Sequence, residues 1–139
     1  MKDFYGFYHM ALLPGALPPE TEGAVLEYIL NHPKGMYYIC PGPINRLPER
    51  FKSREASRWL GAIEILARFP RARNHLKFAL DWILMNKDID GEGWDMGAEA
   101  RDGIYFPLSD SWRNPSDRRL DCSHRVRALI DVLECDKSR

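Results

Sequence analysis

An all-α domain of antiparallel helical hairpins is the fold class this sequence predicts, on three observations. Four stretches repeat their apolar residues at a period near 3.6, the period of a helix and not of a strand. Proline falls at the edges of those stretches, where helices begin and end. A pair of helical segments also occurs twice in the same order.

The chain divides into an irregular arm over 1–19, a first helical unit over 20–70 and a second over 71–139. The arm carries FYGFYHMALLPGALPP, aromatic at first and then broken by Gly15, Pro14, Pro18 and Pro19. A helix is expected from Pro19 or Glu20 to Asn31, with Glu20 and Glu22 beside the positive end of its dipole. His32–Pro33 and Lys34–Gly35 end it. Met36 to Cys40 is short and apolar and reads as extended, and Pro41 to Pro48 as loop. The next helix is expected from Ser53 to Arg68, with residues 56, 59, 60, 63, 66 and 67 on its apolar face. A third runs from Arg71 to Met85 and, apolar around its girth, is expected at the centre of the domain. Residues 86–119 form a long loop rich in aromatic residues, expected to be ordered over the body because so much ring surface is costly in water. A last helix is expected from Leu120 to Glu134, capped by Asp121 or Ser116.

The repeat is visible residue by residue. Val25-Leu26-Glu27-Tyr28-Ile29-Leu30 returns as Ala79-Leu80-Asp81-Trp82-Ile83-Leu84, acid for acid and aromatic for aromatic. Ile63-Glu64-Ile65-Leu66 returns as Ile130-Asp131-Val132-Leu133. Between the partners lies a glycine–aromatic segment, HPKGMYYI in one unit and DIDGEGWDMG in the other. A helical hairpin cannot bury its apolar face alone and relies on its neighbours. Two units are few for a closed array, which points to self-association or a longer parent chain.

Asn86 to Trp94, read as Asn-Lys-Asp-Ile-Asp-Gly-Glu-Gly-Trp, is similar to the glycine–tryptophan turn of the squalene-cyclase and prenyltransferase repeats. Asn86 stands where those repeats usually have Gln, and Gly93 is an extra residue before Trp94. The phrase from Tyr105 to Arg113 adds to the likeness, and 59–133 most resembles uncharacterised bacterial proteins of this class. The resemblance implies part of an α/α toroid, with helices around a cavity that holds an apolar, isoprenoid-like molecule. The chemistry of that superfamily is not matched. Asp88-Ile89-Asp90-Gly91 lacks the acids of an Asp-x-Asp-Asp proton donor, and Asp121-Cys122 lacks the spacer of the zinc-binding Asp-x-Cys.

Composition excludes several classes. Twenty acidic side chains balance twenty basic ones in 139 residues, which argues against a dedicated nucleic-acid binder. Four Trp, six Tyr and six Phe are too many for a disordered chain. No apolar run is long enough to span a membrane, and the first residues lack the apolar core of a signal peptide. Three cysteines without a CxxC read as reduced thiols in a cytoplasm.

No catalytic residue set emerges. Asp88, Asp90, Glu92 and Asp95 place four carboxylates near two glycines, a composition that suits calcium, but the EF-hand pattern fails and an Asp–Gly turn accounts for them. Cys122 and His124 suggest zinc, yet two residues apart on a helix their side chains diverge by about 200°. Cys122, on the apolar face, reads as a buried core thiol. Arg46, Arg50, Lys52, Arg54, Arg58, Arg68, Arg71 and Arg73 face only Glu49, Glu55 and Glu64 in sequence, a local basic excess suited to a solvated face or a partner surface. If a pocket exists, Trp94, Tyr105, Phe106, Trp112 and Arg113 are its expected wall, with Arg113 able to hold a carboxylate or phosphate. No cofactor is called for. The function expected is a non-catalytic helical-repeat interaction domain, with binding of an apolar small molecule, with or without catalysis, as the alternative.

Overall fold

The structure, a computed structural model, describes residues 15–33, 35, 40, 42–87, 93–97 and 114–134. Within these it is all-α and free of extended strands, with helices packed antiparallel. Helix α1 spans Pro19–Asn31, α2 Arg54–Leu66, α3 Lys77–Met85 and α4 Pro115–Glu134, with a 3-10 turn at Ala72–Asn74. The arm before Gly15, residues 36–39 of the segment read as extended, and residues 88–92 and 98–113 of the long loop lie outside the described residues.

Local chemistry sets the helix ends. Pro19 begins α1 at a position where a missing N–H costs nothing, and Glu20 and Glu22 lie in its first turn. The Ser53 side chain accepts the Ala56 N–H at 3.0 Å and caps α2. Helix α4 starts earlier than its apolar pattern does. Asn114 Oδ1 accepts the N–H groups of Ser116 at 2.8 Å and Asp117 at 3.4 Å, so Asn114 and not Asp121 or Ser116 is the cap. The long loop therefore ends at Asn114. Asp121 is buried along the helix instead.

The helix expected over 71–85 is broken. The Glu22 carboxylate, itself buried on α1, accepts the Arg71 N–H at 2.8 Å. That contact anchors the entry to a short 3-10 turn, and α3 starts only at Lys77. The central helix is also not the one its composition suggested. Eight of the thirteen residues of α2 are buried, while in α3 only Ala79 and Ile83 are, and Met85 is 80% exposed.

The core runs through all four helices. Leu26 and Ile29 of α1, Leu60 and Ile63 of α2, Ile83 of α3 and Val126 of α4 are fully enclosed. An aromatic step links the pieces: the Trp82 ring of α3 meets Trp59 of α2 edge-on at 5.1 Å and Phe51 at 5.6 Å.

Both halves use the same device to turn off a helix. Asn31 Nδ2 donates to the Glu27 carbonyl at 2.8 Å, and Asn86 Nδ2 to the Trp82 carbonyl at 2.8 Å. The following loop then returns to the last turn: Asn45 N–H donates to Leu30 O at 3.0 Å, and the Trp94 indole N–H to Ile83 O at 2.8 Å. Helices α1 and α3 thus end alike, although these bonds lie one residue out of register with the repeat read in the sequence.

One ion pair joins the second hairpin to the first. Arg125 of α4 grips Glu64 of α2 through Nε at 2.9 Å and Nη2 at 2.8 Å. The same guanidinium donates to the Ser57 hydroxyl at 3.1 Å and the Ser57 carbonyl at 3.2 Å. Its fork geometry satisfies four acceptor contacts that an ammonium could not match. Arg125→Ala is expected to lower unfolding free energy by about 1–3 kcal/mol, since it removes a part-buried pair and strands the buried Ser57 oxygens. Lys77→Ala, which removes an exposed pair with Asp81, should change it by less than about 0.5 kcal/mol. Urea titrations of both variants check the contrast.

Candidate functional site

Two places hold the chemistry that the sequence singled out. The first is the segment 93–97, which lies against α4. Gly93 has no positive φ, but a Cβ there would meet the Ser123 hydroxyl and displace it from the Trp94 N–H. That close approach lets the Trp94 N–H donate to Ser123 Oγ at 3.0 Å, while the Met96 N–H reaches Cys122 Sγ at 3.4 Å. The Trp94 ring is 2% exposed, with Lys87 Nζ 5.3 Å and the Arg127 guanidinium carbon 5.9 Å from its centroid. Gly97 completes the segment at φ 85°, its N–H bonded to Asp95 Oδ1 at 2.8 Å.

Asp95, one of the four clustered acids, is bound by arginine. Arg118 Nε and Nη2 meet its two oxygens at 2.7 and 3.0 Å. Burial pushes the Asp95 carboxyl up, but the Arg118 hydrogen bond, the Gly97 N–H and the positive charge of Arg118 and Lys52 outweigh it. The net result holds the group below the usual carboxylate range. The same bond raises Arg118. Asp88, Asp90 and Glu92 lie outside the described residues.

Cys122 is fully buried, and burial pushes its thiol up to about 11. It sits two turns into α4, beyond the reach of the helix N-terminus, so nothing in the fold activates it as a nucleophile. His124 is exposed while Cys122 faces the core, as their spacing on a helix requires. Among the described residues no three His, Cys, Asp or Glu side chains gather as a metal site would need. Of the expected pocket wall, Trp94 is a core residue, and Tyr105, Phe106, Trp112 and Arg113 lie outside the described residues.

The second place is a cleft of about 570 Å³ between the 42–49 loop and the first two turns of α2. Its apolar surface comes from Pro43, Leu47, Pro48 and the edge of Trp59, whose indole N–H is fixed on Ile44 O at 2.8 Å. Its rim carries Arg46, Arg54 and Arg58 with Glu49 and Glu55. Cys40 closes one side, its thiol raised by burial. The three arginines belong to the basic run seen in the sequence. Their convergence with an exposed leucine was not visible there, because the loop brings Arg46 and Leu47 back beside α2 through the Trp59–Ile44 bond.

Comparison with protein-family models, with curated proteins and with solved structures returned no match.

Two outcomes test this geometry. Asp95 has a lowered pKa in the fold, so its pair with Arg118 stabilises the protein above the ordinary aspartate value of about 3.9, and that stability is lost as pH falls below it. Asp95→Asn is therefore expected to narrow the stability gap between pH 7 and pH 3 measured by denaturant unfolding. Cys122 should react with iodoacetamide at pH 8 only at the rate at which the fold opens, and at once in denaturant.

Proposed function

We propose that this chain is a non-catalytic helical interaction domain, and that its contact surface is the arginine-rimmed cleft. One observation carries the reading: the charged groups divide by role. Arg125 and Glu64 are spent on joining the hairpins, and Arg118 and Asp95 on holding segment 93–97 to α4. Arg46 and Arg58 are exposed, form no ion pair among the described residues, and flank one of the large apolar side chains left in solvent, Leu47. An apolar lining of Pro43, Leu47 and Pro48 ringed by charged side chains suits a contact with another protein, whose own apolar atoms would cover it.

The cleft volume also favours a second reading, because pockets for small molecules run from about 300 to 1,000 Å³. An apolar, isoprenoid-like ligand of the kind the toroid resemblance implies would then occupy it. Native mass spectrometry of the purified chain separates the two, since a stoichiometric small-molecule adduct supports the second reading.

The interaction reading is tested by placing a benzophenone amino acid at Leu47 and, as a control, at the exposed His124 on α4. Illumination in the native host is expected to give a discrete protein adduct from position 47 and none from 124. An adduct of twice the chain mass identifies a second copy as the partner. Equal, diffuse labelling from both positions would overturn the reading.

A further inference from the structure

We propose that the cleft recognises a short acidic segment of a partner protein, in which one aliphatic side chain is flanked by aspartate or glutamate. The inference rests on the reading of the cleft as a contact surface and names the chemistry of what it takes. Three features of the cleft lead to it.

The first is local charge. Arg46, Arg54 and Arg58 rim the cleft against Glu49 and Glu55, and the stretch 46–58 that builds it holds five basic side chains against those two acids, in a chain whose other residues carry an excess of three acids. A field of this sign attracts carboxylates and speeds their encounter. The second is shape and chemistry. Pro43, Leu47 and Pro48 form an apolar patch between guanidiniums, so the ligand needs an apolar group with acids beside it. Guanidinium forks match carboxylate geometry in two-point contacts.

The third concerns what the cleft disfavours. Glu49 and Glu55 on the rim repel a polyanion that offers no apolar group in return. Trp59, the aromatic ring in the lining, is 2% exposed with its N–H already bonded, so it presents no face on which a nucleobase could stack. A mixed acidic and aliphatic peptide answers both the arginines and the leucine. The glutamates then set its register by repelling acids placed out of step.

Fluorescence anisotropy with two labelled peptides tests the idea, one with leucine between Asp and Glu residues and one with the acids replaced by Asn and Gln. The intact chain is expected to bind the acidic peptide and not the neutral one, and the binding should weaken as salt is raised. Arg58→Glu and Arg46→Glu should each weaken it at least about tenfold. Leu47→Asp should do the same through the apolar contact. All three positions are exposed, and circular dichroism checks that each variant remains folded. No binding of the acidic peptide, or equal binding by the charge-reversed variants, would overturn the proposal. So would displacement by inorganic phosphate at constant ionic strength, which would mark a small-anion site. An adduct at Leu47 without peptide binding would leave the interaction domain standing and remove only this inference.

Discussion

The Arg125 guanidinium, clamped on Glu64 and on both oxygens of Ser57, is the contact around which the described structure is organised. It crosses between the last helix and the most buried one, and it does so beside the core. Charge drawn partly out of water is costly unless it is paired, and here two guanidinium nitrogens meet two carboxylate oxygens. Once α4 is fixed on α2, its neighbouring positions become usable. Cys122 and Ser123 offer a sulfur and a hydroxyl to the backbone of Trp94 and Met96, and Arg118 takes Asp95. A segment with no regular structure of its own is held by side chains of the helix beneath it. The N–H groups of Trp94 and Met96 find their acceptors there.

This arrangement explains why residues with the look of a reactive site serve the frame. A cysteine, a serine and an aspartate converge near Trp94, but each is occupied by a backbone N–H or a guanidinium. The thiol is raised by burial, which is the opposite of activation. Chemistry directed outward is found where the frame places no demand on it, on the rim between the 42–49 loop and α2.

Much of the fold was legible in the sequence, for reasons that are local. Pro19 and His32–Pro33 mark the ends of α1, and Ser53 marks the start of α2. The apolar period identifies the faces of α2 and α4. Departures came where a distant residue or a polar cap decided the outcome. Glu22 takes the Arg71 N–H from 49 positions away, and no local pattern announces it. Helix α4 begins on Asn114–Pro115, a cap and first-turn signal hidden within a polar run, whereas apolar periodicity begins only near Cys122. Apolar composition placed α3 at the centre, although composition does not decide burial: eight residues of α2 are buried against two of α3. Arg125 was the largest omission. Its only sequence signal was a basic residue bordering the apolar stripe of α4, facing an acid set between Ile63 and Ile65.

On this geometry, segment 93–97 belongs to the same cooperative frame as α2 and α4. Native-state hydrogen exchange tests it most directly. The amides of Trp94 and Met96, bonded to Ser123 Oγ and Cys122 Sγ, should exchange only through the global opening that also exposes Leu60 and Ile63. Exchange of Trp94 and Met96 at rates typical of open loops, while α2 stays protected, would contradict it.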